Sequence, residues 1–155
     1  MRFHHMCLVT VDLEESIRMW RDILGFDLIY RRDLPGDRGP ELERLMNDSF
    51  ESDNASSKMA WLESKEGAFI ELQNPQNPPA KLTPKADLRY TTTGVHELGL
   101  LVDDVQYYFD KVRNAGYATQ TEYVWNTQSG DRSFIFFDHE GYQIQLWQSV
   151  ATAPS

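Results

Sequence analysis

The sequence contains a single cysteine, Cys7, and this scarcity excludes a fold held together by internal disulfides. It also lacks any apolar run near the roughly 20 residues that a membrane-spanning helix needs. The N-terminal residues show neither the long apolar stretch nor the small-residue cleavage site of a secretory signal. From these absences we expect a cytoplasmic protein with no membrane partner.

Basic residues are also scarce relative to acidic ones. The chain has 15 Lys and Arg against 24 Asp and Glu, which gives a formal net charge of −9 at pH 7. An acidic surface repels phosphate backbones, so nucleic acid is disfavoured as a partner. With 155 residues the chain is long enough to bury a substantial core, and the charge is ascribed mainly to solubility.

An internal repeat organises what the sequence does contain. Residues 5–26 match residues 96–117. In both segments an Asp lies seven positions after the first His, and a Gly lies twenty positions after it. Residues 66–72 match residues 140–146 in the same way. The offset between the halves falls from 91 to 74, so the first half has about 17 extra residues, which we place between Leu34 and Ser56.

Each half predicts a strand, a helix and three further strands. Apolar residues at helical spacing follow Asp12, a helix N-cap candidate, and Gly25 and Gly116 fit the helix ends. This pattern predicts an α+β fold, with one helix that follows Asp12 and a second whose apolar stripe comprises Val105, Tyr108, Phe109 and Val112. The predicted strands are residues 3–11, 26–32, 58–63, 68–73, 95–102, 117–125, 132–137 and 142–147.

A proline-rich stretch separates the halves, with prolines at 75, 78, 79 and 84. Proline at this density interrupts helices and strands, which indicates a linker. Neither half is long enough to bury a large core alone. We therefore predict one domain, 1–155, with a first module at about 1–74, a linker at about 75–93 and a second module at about 94–150.

Four polar residues occupy equivalent places in the repeat. His5 and His96 lie in the first predicted strand of each half, and Glu71 and Gln145 lie in the last. Polar side chains in apolar strands are costly to bury without partners. If the halves pack with pseudo-twofold symmetry, all four can converge on one point. Such a set suits Fe(II), Mn(II), Co(II), Ni(II) or Zn(II).

These motifs resemble those of the vicinal oxygen chelate superfamily, the glyoxalase, bleomycin resistance and extradiol dioxygenase group. The shared features are a strand with His5, the sequence Asp-Leu-Glu from Asp12, a helix that ends Leu-Gly-Phe, and a later Gly-x-x-Ile-Glu-Leu that contains Glu71. The resemblance implies two tandem βαβββ modules that form a cup-shaped, largely antiparallel sheet around a metal-binding cleft. It also implies a homodimer and one divalent metal ion, with His5, Glu71, His96 and Gln145 as the ligands.

The ligand order bears on the chemistry that the resemblance implies. In glyoxalase I the last ligand position of the second module is usually a glutamate that can act as base, whereas here it is Gln145. Methylmalonyl-CoA epimerase resembles this set with the halves exchanged. We therefore predict a lyase or isomerase that abstracts a proton next to a metal-chelated carbonyl. Glu71 is the catalytic base, and the substrate is a small molecule with neighbouring oxygens.

Two alternatives stay open at this point. Two His and one Glu also supply the facial triad of an Fe(II) extradiol-type dioxygenase. A non-catalytic drug-binding protein, as among bleomycin-resistance relatives, would need no metal, and an acidic surface would suit a cationic drug.

Other residues have predicted positions near or away from this site. Phe69 and Trp147 each lie two residues from a predicted ligand and are candidate pocket walls. Cys7 shares the His5 face and is a third candidate pocket residue, with a small buried side chain as the favoured alternative. His4 is predicted to point to the opposite face, and His139 to be a solvated turn residue. The insertion at residues 34–56 is predicted to be a loop with a short helix around residues 41–46, and it is either a surface excursion or a lid.

Overall fold

The computed structural model describes residues 3–150, so the ends of the predicted domain, residues 1–2 and 151–155, lie outside the description. The chain divides into two compact units, Met1–Leu82 and Thr83–Ser155. We describe each unit by itself, and the expectation of a single domain stays a prediction.

The first unit contains a four-stranded sheet in the order β1-β4-β3-β2. Strands β1 and β4 are parallel, and the other neighbours are antiparallel. Its elements are β1 (His5–Val9), α1 (Leu13–Arg18, continued by a π-helical turn at Met19–Ile23), β2 (Asp27–Leu34), α2 (Pro40–Phe50), β3 (Ser56–Glu63) and β4 (Phe69–Asn77).

The second unit repeats this topology, with the sheet order β5-β8-β7-β6 and β5 parallel to β8. Its elements are a short 3-10 helix (Lys85–Leu88), β5 (Glu97–Leu101), α3 (Val105–Asn114), β6 (Trp125–Asn126), β7 (Arg132–Phe137) and β8 (Gln143–Gln148). The prediction of an α+β fold made of two tandem βαβββ modules is confirmed. Between residues 3 and 150, no helix has both the length and the apolar character of a membrane span.

Each sheet buries one face against its own helix, which leaves the other face available for polar side chains. In the first unit, Ala60, Leu62, Ile70 and Leu72 pack on the α1 side and are almost completely buried. In the second unit the corresponding residues pack against α3 and include Phe134, Phe136, Ile144 and Leu146. Burial of such side chains contributes about 1.5–3 kcal/mol each.

Three predicted segments differ from the structure. Strand β4 continues to Asn77, three residues into the predicted linker. Of the predicted strand 117–125, only Trp125 lies in a regular strand, β6. The chain before it contacts β7 through the isolated bridge from Thr119 to Phe136. The insertion contains α2, whose Met46 is buried against Leu34 and Met59. The apolar stripe of α2 therefore makes the insertion part of the first unit's core.

The strand register shows that the sequence alignment of the two halves is wrong by one residue in the first strand of each half. His5 is the partner of Phe69, two residues before Glu71. In the second sheet the residue two before Gln145 is the partner of Glu97, not of His96. His96 instead lies directly before β5.

The extra residue lies in the first helix. Thirteen positions separate the N-cap Asp12 from Gly25, whereas twelve separate the N-cap Asp104 from Gly116. An i→i+5 hydrogen bond encloses one more residue than an i→i+4 bond, and the Leu24 N–H donates such a bond to the Met19 carbonyl over 3.2 Å. The π-helical turn therefore absorbs the additional residue, and the equal His-to-Gly spacing of the two halves does not make His5 and His96 equivalent in the sheets.

We expect Asp104→Ala to lower the free energy of unfolding by about 1 kcal/mol, because it removes the α3 cap. The Asp104 carboxylate accepts the Tyr107 N–H over 3.0 Å. Asp103→Ala, one residue earlier, is the matched control and should have little effect. Urea unfolding of both variants measures this, and equal losses would contradict the corrected register.

Candidate metal centre

One face of the first sheet carries two of the predicted ligands. Glu71 is the partner of Cys7 on β1 and of Trp61 on β3, so these side chains project to the same side. His5 lies on that side as well, with its ring centroid 5.1 Å from that of Trp61. We call this side of the sheet, opposite α1, the His5 face.

His5 and Glu71 form a close pair on this face. The distance from His5 Nε2 to Glu71 Oε2 is 3.3 Å. Each side chain also has a second contact, made by the atom that does not face the other member of the pair. His5 Nδ1 lies 2.7 Å from His4 Nδ1, and Gln73 Nε2 donates a hydrogen bond to Glu71 Oε1 over 2.6 Å. Both donor atoms of the pair therefore have a fixed direction.

The pair fits two ligands of one divalent ion. Ligand bonds of about 2.1 Å at right angles place neighbouring donor atoms about 3 Å apart. The His5 Nδ1–H tautomer would donate to His4 and leave the Nε2 lone pair available for a cation. Such outer hydrogen bonds typically orient metal-bound histidines and carboxylates.

Two predictions on this face are wrong. His4 precedes β1, so strand alternation does not apply to it; its ring stacks with Phe69 at 5.9 Å and contacts His5. Cys7 was expected to be buried, but the residue is exposed. Partial desolvation of the thiol and, secondarily, the Glu71 charge raise the pKa of Cys7 to about 11. The thiol is therefore protonated at neutral pH and a poor nucleophile.

The second sheet places Gln145 on the equivalent side. Gln145 is the partner of Gly99, and a Cβ built on Gly99 would lie 3.8 Å from Gln145 Oε1, an ordinary van der Waals distance. Trp147, a predicted pocket wall, projects to the same side, with its ring 5.5 Å from Trp125. Phe69, the other predicted pocket wall, is the partner of His5 in the first sheet.

His96 and Glu97 compete for the role predicted at the start of β5. Both His96 ring nitrogens are buried, and neither has a hydrogen-bond partner among residues 3–150. Such a ring leaves donor and acceptor capacity that a ligand could use. Glu97 has the register position of His5 but accepts a hydrogen bond from the Tyr90 hydroxyl. Desolvation and this bond raise the pKa of Tyr90 to about 12.

His139 is not the solvated turn residue that we expected. Both of its ring nitrogens are buried, and Nε2 lies 3.4 Å from the Glu140 carboxylate. The preceding Asp138 accepts the backbone N–H groups of residues 140, 141 and 142 through Oδ1. Burial raises the pKa of Asp138 in spite of these bonds. This cluster closes the β7–β8 turn.

Sequence reasoning did not identify His4 or Trp61 as neighbours of the site. Trp61 could have been found from the turn between β3 and β4. The Gly67 N–H donates to the Ser64 carbonyl, which closes this turn, and the resulting register pairs Trp61 with Glu71. The His4 contact has no such signal, because His4 lies outside the strand.

The described residues do not form a complete metal site from acidic, histidine and cysteine side chains alone. Within residues 3–150, no three His, Cys, Asp or Glu side chains form a group that could hold an ion. By itself the His5–Glu71 pair offers two donor atoms, fewer than a divalent ion needs from its ligands.

Comparisons with known proteins agree with this fold. Residues 2–146 match the family model described as the Glyoxalase/Bleomycin resistance protein/Dioxygenase superfamily. No curated protein matches the sequence.

Several solved structures share the fold at low identity. A glyoxalase family protein from Bacillus cereus has 19% identity and a TM-score of 0.79, over 95% of this chain and 93% of that one. The fosfomycin resistance protein FosX from Listeria monocytogenes, complexed with Mn(II) and sulfate, has 15% identity and a TM-score of 0.61, over 96% and 93%. The trypanothione-dependent glyoxalase I of Leishmania major has 18% identity and a TM-score of 0.62, over 96% and 86%.

The solved structures, at such low identity, establish only the fold. The family model matches nearly the whole chain and therefore establishes the family. With its two tandem βαβββ modules, this protein belongs to the glyoxalase/bleomycin resistance/dioxygenase superfamily.

Proposed function

We propose that the protein is a divalent-metal-dependent lyase or isomerase that removes a proton next to a carbonyl group. The observation that carries this proposal is the His5–Glu71 pair, with Nε2 and Oε2 separated by 3.3 Å and with a second contact on each side chain. The Mn(II) bound in the structure of FosX supports a metal-dependent function for a chain of this fold.

In this proposal the first unit provides both a ligand pair and a base. Glu71 takes the proton from the substrate carbon, and Gln73 restrains its carboxylate through the hydrogen bond to Oε1. With its proton on Nδ1, His5 would donate to His4 Nδ1, and this bond would orient the His5 ring. A bound divalent ion supplies Lewis-acid stabilisation of the negative charge that develops on the carbonyl oxygen.

The second unit would provide the remaining protein ligands. Gln145 keeps its predicted role, and it lies on the equivalent side of the second sheet. For the ligand at the start of β5 we retain His96, because its buried ring nitrogens lack partners among residues 3–150. Glu97 is the competing residue because of its register.

Elemental analysis of the purified protein tests this proposal. We expect about one first-row divalent ion per chain and its loss in the His5→Ala variant. His96→Ala and Glu97→Ala, compared under the same conditions, identify the ligand at the start of β5: the variant that loses the metal marks it. Val9→Ala, on an exposed position of the same strand, is the control and should retain the metal.

The result also separates the proposed function from its rivals. A parent protein that stays empty after incubation with Mn, Fe, Co, Ni and Zn would contradict a metalloenzyme and leave the drug-binding function. Iron selectivity together with strict oxygen dependence would point to the dioxygenase. Dimerisation and a cytoplasmic location remain predictions.

A further inference from the structure

Arg32 is a half-buried cation of the first unit with no acidic partner. Its guanidinium carbon lies 4.0 Å from the centre of the Tyr30 ring. Among residues 3–150 it makes no hydrogen bond and no ion pair. The neighbouring Arg31, by contrast, points to the α1 side and pairs with Glu14.

The donors of the Arg32 guanidinium are open to a ligand. A guanidinium carries five N–H donors, and no Arg32 nitrogen is among the fully buried polar atoms that lack a hydrogen-bond partner. An oxyanion that reaches the guanidinium side-on can accept two hydrogen bonds from it. Residues 3–150 place no such oxyanion beside Arg32, although the net charge of the chain is −9.

Register places Arg32 on the His5 face. Arg32 is the partner of Met59, which is the partner of Gln73, whereas Tyr30, Trp61 and Glu71 form the adjacent row. Arg32 therefore lies two strands across and two residues along from Glu71. With strand spacings of about 4.8 Å and a rise of about 3.3 Å per residue, this separates their Cα atoms by about 12 Å.

Flat aromatic rings occupy the space between these two points. Tyr30 and Trp61 stack with 8° between their ring planes and 6.1 Å between their centres, and Trp61 reaches His5. Helix α2 closes one side, because Leu42 and Phe50 pack with Tyr30 and Trp61 around the same buried cluster. Across the His5 face, Arg32 is therefore followed by the aromatic rings and then by the His5–Glu71 pair.

From this arrangement we infer that Arg32 binds a carboxylate at the far end of the substrate, whose flat apolar middle packs against the ring of Trp61. The inference rests on the proposed function, since it takes the His5–Glu71 pair as the place where the neighbouring oxygens of the substrate bind. A single guanidinium matches the charge of a carboxylate, whereas a phosphate dianion would call for a second cation.

The experiment measures the affinity of the metal-loaded protein for three probes by calorimetry. The probes are 4-(hydroxyacetyl)benzoate, the uncharged 4-(hydroxyacetyl)benzamide and 4-(hydroxyacetyl)phenyl phosphate, which share the neighbouring oxygens and the flat ring. We expect the parent to bind the benzoate about tenfold more tightly than the amide. Arg32→Met should abolish this preference, and Arg32→Lys should retain part of it.

Arg31→Met, at the neighbouring position on the opposite side of the sheet, is the control and should keep the preference. A parent that does not distinguish benzoate from amide, or an Arg32→Met variant that still does, would overturn the inference. Tighter binding of the phosphate would replace the carboxylate with a phosphate group. If Arg32→Met does not fold, Arg32→Lys decides, because an unchanged preference there would contradict the bidentate contact.

The same titration after metal removal separates this inference from the proposed function. Affinities that do not change when the metal is removed would count against the metal-dependent function, while an Arg32-dependent preference for the benzoate would still support the carboxylate site. Metal-dependent binding without a preference for the benzoate would support the metal-dependent function and contradict the carboxylate site.

Discussion

Glu71→Gln should slow the exchange of the carbon-bound proton of 4-(hydroxyacetyl)benzoate in deuterated water by a factor of about 10²–10⁴, the usual contribution of a general base. The amide keeps an oxygen that can act as a ligand but has no basic oxygen to accept the proton. Its oxygen can still face His5 Nε2, which lies 3.3 Å from Oε2 in the parent. Proton NMR of this compound, recorded in the presence of the metal-loaded protein, follows the loss of the proton signal directly.

The control for this prediction is Glu66→Gln, the same chemical change in the β3–β4 turn, away from the His5 face. This variant should exchange the proton at the parental rate. Metal content measured in parallel shows whether a slow rate reflects a missing base or a missing ion. Parental exchange by a metal-loaded Glu71→Gln variant would remove Glu71 from the role of base.

Phe134→Ala should lower the free energy of unfolding by about 3–5 kcal/mol, the usual range for a large buried ring replaced by alanine. Phe134 is completely buried in the second unit. Its ring meets Phe109 edge to face at 5.1 Å and lies 6.2 Å from Phe136. Truncation removes apolar contacts and leaves a cavity that β7 and α3 can only partly fill.

Urea unfolding followed by tryptophan fluorescence measures this loss, because Trp125 and Trp147 belong to the same unit. Phe3→Ala is the matched control, since Phe3 is 72% exposed and its truncation should change stability by less than about 0.5 kcal/mol. A loss below about 1 kcal/mol for Phe134→Ala would contradict the packing described for the second unit.

Most of the fold follows from patterns that the sequence displays locally. The Asp12 carboxylate accepts the Glu15 N–H over 3.1 Å, as an N-cap should, and Gly25 and Gly116 have φ values of +79° and +88° at the helix ends. Alternation and helical spacing sufficed for these features, because each depends on residues only a few positions apart. The predicted strand 117–125 failed because its pairing depends on contacts with β7 rather than on its own composition.

The site was only partly predictable, and the reason is different for each residue. Glu71 and His5 were identified from the repeat and the family resemblance, and the structure places them within 3.3 Å of each other. The match of His96 to His5 relied on counting residues through a helix of assumed regularity. No sequence pattern pointed to Arg32 as a binding residue. Only the folded sheet shows that, among residues 3–150, no acidic side chain forms an ion pair with it.

The π-helical turn at Met19–Ile23 shows how a duplicated architecture can change length without disturbing its strands. A single inserted residue within β1 would turn every later side chain of that strand to the other face, including those beside Glu71. The same insertion in a helix merely widens one turn, so the sheet keeps its pairing. Corresponding positions in the two halves are therefore better assigned from strand pairing than from distances along the chain, and the same holds when roles are transferred from distant relatives.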